Sequence, residues 1–316
     1  MGWLIGMDEA GYGPNLGPLV VAATSWSVPG NAPRTFDLRN ALQDVICDRA
    51  KDSAGKLCIA DSKQVYSPQK GIAELELGVL AMLKQIGYQP KTLTELWQLL
   101  ASPDASSPEE EPWYTRAEVQ IPHVASIEDV DAVAEKVRKS LSKAKVRLVE
   151  VRCDVMLGER FNRIVREVDS KGICLSRSTM QLLRQLWDPA DRSKTHVIGD
   201  KHGGRNRYDE LLDEILDGEM IFRMEEGRER SEYRVGEATV VFRTRAECHM
   251  QVALASMVAK YTRELAMVAF NDYWAEHSPG LKPTKGYPVD ARRFRIDIAE
   301  TQKRLGISDE VLWRAR

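Results

Sequence analysis

The stretch from Met7 to Leu19 constrains the fold more than any other part of this chain. A short apolar run ends in two adjacent acids, Asp8 and Glu9, and a turn rich in glycine and proline leads to a second apolar run. This order predicts a strand, a turn and a second strand. Side chains alternate between the two faces of a strand, so both acids can point the same way only where the strand ends or bulges.

Two carboxylates at a strand end are better explained by a chemical function than by a contribution to the stability of the fold. A divalent cation needs hard oxygen ligands on rigid backbone, and strand ends supply them. The glycines of the turn let backbone N–H groups approach a phosphate or a hydroxyl. An isolated Asp-Glu pair is also compatible with a plain polar strand end, so the other motifs of the chain have to distinguish the two interpretations.

Residues 8–13, Asp-Glu-Ala-Gly-Tyr-Gly, resemble the signature of the type 2 ribonucleases H, the RNase HII and HIII group. In that group an Asp-Glu pair precedes a Gly-x-Gly turn and a Gly-Pro. Three further motifs follow in the order of the group: Asp-Ser-Lys at 61–63, Ala-Ser-x-x-Ala-Lys-x-x-Arg-Glu at 255–264 and Lys-Gly-Tyr at 285–287. The matches span nearly the whole chain but cover well under half of its residues.

The resemblance implies the ribonuclease H-like fold, a mixed central sheet flanked by helices. We predict helices over 37–50 and from Ser67 to about residue 84, and a hairpin formed by 220–224 and 233–242. A long helix is predicted at 245–264, with small residues that pack tightly. The alternation of predicted strands and helices is typical of this α/β class.

We expect one elaborated domain over residues 1–316. Residues 89–122 have no counterpart in the compact core of the group and are interpreted as an insertion, within which 102–112 is expected to be a flexible loop too polar to pack. Residues 281–316 carry nine Lys or Arg and five acids, and we interpret them as a basic helical segment.

By resemblance, four acids are the candidate catalytic and metal-binding residues, and together they would hold two Mg²⁺ or Mn²⁺ ions. Asp200 follows a short apolar strand and precedes a glycine turn, although a salt-bridged loop acid would fit there too. Glu247 stands where the group mostly has Asp and is one residue closer to the Ala-Ser. A glutamate near a helix start also complements the helix dipole. The predicted set is Asp8, Glu9, Asp200 and Glu247.

The resemblance also implies a set of substrate-binding residues, which would sense the ribose 2′-hydroxyl, contact phosphates or contact the nucleic-acid sugar. Tyr12 replaces an arginine of the HII branch, so we expect activity on longer RNA/DNA hybrids rather than at single embedded ribonucleotides. A solvated loop lysine and an ordinary basic helix face are the alternatives for Lys63 and for 281–316. The predicted substrate-binding residues are Gly11, Tyr12, Gly13, Lys63, Lys201, Arg205, Lys285 and Tyr287.

The composition limits the class of protein. A net charge of −2 argues against a wholly basic nucleic-acid coat but leaves local patches open. Five scattered cysteines, without zinc-type spacing, indicate free thiols in a reducing compartment. No apolar run is long enough for a membrane span, and a cytoplasmic location is expected. The sequence indicates no protein partner.

The sequence therefore predicts a divalent-metal-dependent endonuclease that hydrolyses the RNA strand of RNA/DNA hybrids by a two-metal mechanism. One alternative is another nuclease of the same fold that acts on structured DNA. A second is a non-catalytic nucleic-acid-binding protein. Unpaired acids argue against this second alternative, because they repel phosphate and are costly without metal.

Overall fold

The computed structural model describes residues 1–49, 55–66, 71–115 and 119–315. Among these residues the strands are β1 (Gly2–Ala10), β2 (Leu19–Val28), β3 (Ile46–Cys47), β4 (Leu57–Cys58), β5 (Arg147–Met156), β6 (Thr195–Asp200), β7 (Ile221–Glu226), β8 (Arg230–Val235) and β9 (Ala238–Arg243). The α-helices are α1 (Leu38–Ala41), α2 (Ser62–Val65), α3 (Ala73–Leu83), α4 (Leu93–Leu100), α5 (Pro112–Thr115), α6 (Ile127–Ala144), α7 (Gly158–Val168), α8 (Lys171–Leu186), α9 (Asp209–Asp213), α10 (Met250–His277), α11 (Pro288–Leu305) and α12 (Asp309–Leu312).

Seven of the strands form one mixed sheet in the order β5-β2-β1-β6-β9-β8-β7. Strands β1, β6 and β9 are parallel to one another, while β2 and β8 run antiparallel to their neighbours. Strands β3 and β4 form a separate parallel pair. The predicted class, a mixed sheet flanked by helices, is confirmed.

Strand β1 lies at the centre of the sheet and packs directly against the start of α10. A Cβ atom on Gly6 would lie 2.2 Å from the carbonyl carbon of Gln251, so only glycine permits this approach. The small residues Ala255, Ser256 and Ala259 are fully buried on the helix, as the sequence predicts. This close contact brings the residues before α10 next to the end of β1.

The opposite face of the sheet is covered by α7, α8 and α9. Ile5, Met7, Val21 and Val197 belong to the apolar cluster on this face, whereas Leu4 belongs to the cluster on the α10 face. Alternate residues of β1 therefore enter different apolar layers. Apolar side chains pack on both faces of the sheet, and β1 is therefore a rigid support for the acids near its end.

The prediction of a flexible loop at 102–112 is wrong. Ser102, Ser106 and Glu111 are buried, and a 3₁₀ turn forms at Pro108–Glu110. Trp97 donates its indole N–H to the Ser106 carbonyl at a distance of 3.0 Å. The segment packs because tertiary hydrogen bonds satisfy its polar groups, which composition alone does not reveal.

Other boundaries also differ from the sequence expectations. The helix expected over 37–50 is reduced to α1, and the expected hairpin at 220–242 contains three strands, β7, β8 and β9. The helix expected from Ser67 begins at Ala73 within the described residues, and Ser67 itself lies outside them. In the described part of the chain, no helix combines the length and apolar character needed to cross a membrane.

Candidate active site

The two N-terminal acids lie where β1 extends beyond its parallel neighbour. Pairing between β1 and β6 ends at Met7, whereas β1 continues to pair with β2 through Ala10. The strand neither ends nor bulges at the acids, so the side chains of Asp8 and Glu9 leave the backbone on opposite faces. Their carboxyl groups nevertheless come close enough to share a hydrogen bond. Both acids lie on the part of β1 that no longer pairs with β6. Because of this position, their charges act on one another and are affected by the charges of the other two acids.

Asp200 and Glu247 reach the same edge from different segments. Asp200 is the last residue of β6, and its Oδ1 accepts a hydrogen bond from the Ala246 N–H at 3.2 Å. Glu247 lies in a 3₁₀ turn, Ala246–Cys248, directly before α10. The hydrogen bond between Asp200 and this turn fixes the end of β6 against the segment that carries Glu247.

All four predicted acids have raised pKa values, and burial is the largest cause for each. Burial, and then the charge of Glu9, hold the pKa of Asp8 well above its usual range. Burial, and then the charge of Asp200, raise the pKa of Glu9 to about 7. The pKa values of Asp200 and Glu247 are also raised, mainly by burial. The structure thus brings all four acids together, and their charges are incompletely neutralised by the protein.

The donor set fits hard divalent cations, since it consists of carboxylate oxygens that repel one another in the absence of a cation. The carboxylates are not already closed around a single point. In the described ranges no three His, Cys, Asp or Glu side chains form a ready-made metal site. Side-chain rotation would be needed to complete coordination by Asp8, Glu9, Asp200 and Glu247.

A cavity of about 610 Å³ opens beside the acids and includes Asp200 and Glu247 in its wall. Asp61 also lines it, and the charge of Asp61 acts on both of these acids. Asp61 was not predicted as a site residue, although it begins the Asp-Ser-Lys motif. A larger cavity, about 770 Å³, lies between α10 and the insertion, and none of the predicted site residues lines it.

Lys63 is the cation nearest to these acids. Burial opposes its charge, but attraction to Asp61, Glu247, Asp8 and Glu9 outweighs burial and raises the pKa of Lys63. Its side chain is exposed on α2 and lines the same cavity. Lys63 is therefore charged and accessible beside the acids, as a phosphate contact requires.

The turn after β1 packs against Arg263 of α10 at Gly11 but has free space beside Gly13. Gly11 has φ +89°, and a Cβ there would lie 2.5 Å from Arg263 Nε, whereas a Cβ on Gly13 would meet nothing within 4 Å. Tyr12 is half-buried between them, close enough to Glu9 and Arg205 for their charges to act on its hydroxyl. The backbone N–H groups of Tyr12 and Gly13 have no hydrogen-bond partner within the described residues. Both remain available to a ligand.

Lys201 occupies a different environment from the one predicted. It is only 6% exposed, and its Nζ donates to the Arg205 and Gly227 carbonyls, Asn206 Oδ1 and Ser231 Oγ at 2.6–3.2 Å. Four protein acceptors surround an ammonium group that has three protons. The role of Lys201 as a substrate contact is therefore not retained, and we assign it to the support of the loop after β6.

Replacing Lys201 by methionine is expected to lower the free energy of unfolding by about 2 kcal/mol, because buried acceptors lose their donor. Urea denaturation of Lys201→Met and of the exposed Lys63→Met measures the difference. Only the first substitution should reduce stability. Unchanged stability together with weakened hybrid binding in Lys201→Met would restore its predicted contact with substrate.

Lys285 and Tyr287 lie directly before α11, beside the middle of α10. Lys285 Nζ is 2.9 Å from Glu264 Oε2, and Lys260 Nζ is 2.6 Å from Glu264 Oε1. The buried Arg263 also pairs with Glu264, so three cations share one acid. Tyr287 is 51% exposed. This arrangement offers surplus positive charge beside an accessible aromatic residue.

No model of a known protein family matches the chain, and no curated protein matches it. Among solved structures, the chain is similar to RNase HII of Archaeoglobus fulgidus in its complex with PCNA (15% identity, TM-score 0.44, covering 99% of this chain and 94% of that chain). It is similar to ribonuclease H2 of Pyrococcus horikoshii (16%, 0.44, 98% and 92%). It is also similar to Bst-RNase HIII in complex with Mn²⁺ (16%, 0.42, 99% and 65%).

These three proteins are type 2 ribonucleases H, the group that the sequence motifs resemble. The predicted resemblance is confirmed to that extent. At 15–16% identity neither the reaction nor the site residues of this chain follow from the similarity. Its chemistry has to be inferred from its own side chains.

Proposed function

We propose that this chain is a divalent-metal-dependent endonuclease that hydrolyses the RNA strand of RNA/DNA hybrids. One observation carries the proposal: carboxylates from β1, β6 and the turn before α10 meet at one sheet edge, and burial raises the pKa of each of them. A protein gains no stability from such a cluster. Its benefit is the capacity to bind cations where a phosphodiester can approach.

Asp8, Glu9, Asp200 and Glu247 would hold the metal. When bound, Mg²⁺ or Mn²⁺ would supply the activation of water and the stabilisation of the leaving 3′-oxygen that define two-metal hydrolysis. The raised pKa values mean that the acids reach their metal-binding, ionised form more easily above neutral pH. Lys63 supports this form with its positive charge and offers a contact to the phosphate.

The turn at 11–13 supports recognition of RNA. The free N–H groups of Tyr12 and Gly13 can meet the ribose 2′-hydroxyl, the group by which a protein distinguishes RNA from DNA. Tyr12 adds no positive charge to the turn, and the neighbouring Arg205 supplies one. We therefore keep hybrid duplex as the proposed substrate and expect weaker activity at a single ribonucleotide.

Two surfaces would hold the duplex on either side of the acids. Lys63 lies at the cavity, while Lys285 and the exposed Tyr287 lie directly before α11. Together they offer cations for the phosphates and a ring for the sugar. We also propose that the chain forms one domain, since both apolar clusters pack on the same sheet. A cytoplasmic location is also included, because all five cysteines are free.

A cleavage panel tests this assignment. Labelled RNA/DNA hybrid, duplex with one ribonucleotide, linear all-DNA duplex and structured DNA are each incubated with the chain in Mg²⁺ and in Mn²⁺. Preferential cleavage of the hybrid is expected. Cleavage of DNA alone would indicate a different nuclease of this fold. No cleavage in any lane, with duplex binding retained, would indicate a non-catalytic binding protein.

A further inference from the structure

Two buried arginines lie directly beneath the turn that follows β1. Arg263 comes from α10 and is 1% exposed, and Arg314, which follows α12, is 3% exposed. Burial, and then the charge of Arg263, lower the pKa of Arg314 to about 9, so Arg314 remains protonated at neutral pH. Bringing two like charges together in the interior is costly. The contacts they make must compensate for that cost.

Those contacts are with the inner carbonyl groups of the turn. Arg314 Nη2 donates to the carbonyls of Gly11 and Pro14, and the Arg314 backbone N–H donates to the Asn15 carbonyl at 2.9 Å. Arg263 Nη2 donates to the Leu16 carbonyl at 3.2 Å. Four carbonyl groups of the turn are thereby turned inward. The N–H groups of Tyr12 and Gly13 belong to the same short loop and have no hydrogen-bond partner within the described residues.

Arg314 is itself held by neighbouring elements. The Asn162 amide on α7 donates to the Glu310 and Trp313 carbonyls at 2.9 and 2.7 Å, and its Oδ1 accepts the Ala315 N–H. The guanidinium also lies 5.0 Å from the Phe161 ring. The side chain therefore approaches the turn from a fixed direction.

The insertion contributes to this support through Glu111. Its two carboxylate oxygens accept the Gly158 N–H at 3.0 Å and the Trp113 indole N–H at 2.6 Å. Gly158 begins α7, which also carries Asn162. Residues of the insertion thus brace the same helix that holds the Arg314 segment.

We propose that Arg314 is a positioning residue for ribose recognition: it fixes the turn at 11–14 so that the N–H groups of Tyr12 and Gly13 can read a 2′-hydroxyl. The insertion supports it through Glu111. This inference rests on the proposed function for its substrate, but the bracing of the turn itself does not require catalysis. Both side-chain hydrogen bonds to the turn come from Nη2, whose position is fixed by the planar guanidinium. A lysine at 314 would keep the charge but lose this rigid plane.

The test compares Arg314→Lys and Arg314→Met with the wild type and with Glu232→Gln. Glu232 is buried on β8 and pairs with Arg34 and Arg230. Because β8 is the third strand along from β1 in the sheet, this substitution controls for general destabilisation away from α7 and the turn. Amide hydrogen exchange of peptides covering 11–17 measures the bracing. Affinities for hybrid and for all-DNA duplex of one sequence measure ribose recognition, and kcat and KM on the hybrid measure positioning.

Both Arg314 variants should exchange the turn amides about tenfold faster, while peptides from the middle of α10 stay unchanged. Their preference for hybrid over DNA duplex should fall, and kcat should decrease about 10- to 100-fold with a smaller change in KM, because the scissile phosphate is misplaced. Glu232→Gln should show neither the faster exchange of the turn nor the loss of preference.

Unchanged turn exchange in both Arg314 variants, or unchanged preference for hybrid despite faster exchange, would overturn the inference. An inactive wild type would instead contradict the proposed function. The exchange comparison would still decide whether Arg314 braces the turn, so the two failures are distinguishable.

Discussion

Replacing Asp8 by asparagine is expected to reduce cleavage of an RNA/DNA hybrid by a factor on the order of 10³ or more. The substitution preserves size but removes one anionic ligand from the centre of the cluster, where the charges of Glu9, Glu247 and Asp200 all act on Asp8. Electrostatic stabilisation by positioned charges and metal ions is the largest contribution to phosphodiester hydrolysis. The rate constant under single-turnover conditions in Mg²⁺ measures the loss.

The matched control is Asp213→Asn. Asp213 is exposed on α9 and lies outside the cluster, so its substitution makes the same chemical change without affecting a predicted ligand. It should cleave the hybrid at the wild-type rate. Activity of Asp8→Asn within a few-fold of the control would remove Asp8 from the catalytic machinery.

Replacing Glu9 by glutamine is expected to stabilise the metal-free protein by about 3 kcal/mol at pH 8. The pKa of Glu9 is raised from 4.5 to about 7 in the folded chain, so folding opposes its ionisation. The folded state holds the proton more tightly than the unfolded state, and stability therefore falls as pH rises from about 4.5 to 7. The difference between variant and wild type should be small at pH 4.5 and full above pH 7.

Metal binding should reverse the order of stability of Glu9→Gln and the wild type. Mn²⁺ binds only the folded cluster and should raise the melting temperature of the wild type more than that of Glu9→Gln. Thermal unfolding at pH 5 and pH 8, with EDTA or with Mn²⁺, measures both effects. If Glu9→Gln is less stable than wild type at pH 8 in EDTA, the account of an unneutralised acid cluster is contradicted.

The acid cluster could be predicted because its chemistry is local in the sequence. Asp8 and Glu9 end an apolar run, Asp200 ends another, and Glu247 precedes a long helix, so pattern and motif order place each at the end of an element. Their convergence depends on the extension of β1 beyond its last residue paired with β6 and on the close contact of Gly6 with α10. A single sequence does not show these relations, and it does not show that β1 continues as a regular strand through both acids.

Side-chain environments were harder to predict than positions. Lys201 and Arg205 look alike in a basic loop, but Lys201 is enclosed by carbonyl and hydroxyl acceptors that come from the hairpin after α9. The polar segment 102–112 packs because Trp97 and Gly158 are brought to it by the fold. Composition reports the polarity of a residue but not whether distant groups will satisfy it.

The contribution of Arg314 had no sequence signal. The His-Arg pair usual near the end of the type 2 group is not evident in 305–316, and an arginine in a basic segment is most simply a surface residue. Only the tertiary structure shows its guanidinium beneath Gly11 and Pro14. Residues that act by holding another segment are in general recognised from contacts at long sequence separation.

The most direct test of the central claim is an analysis of the cleavage products of an end-labelled RNA/DNA hybrid in Mn²⁺ and after chelation by EDTA. Hydrolysis that activates water and releases the 3′-oxygen should give RNA fragments with 5′-phosphate and 3′-hydroxyl ends, and chelation should abolish it. Fragments with 2′,3′-cyclic phosphate ends, or cleavage that persists in EDTA, would contradict hydrolysis at a carboxylate-bound metal centre.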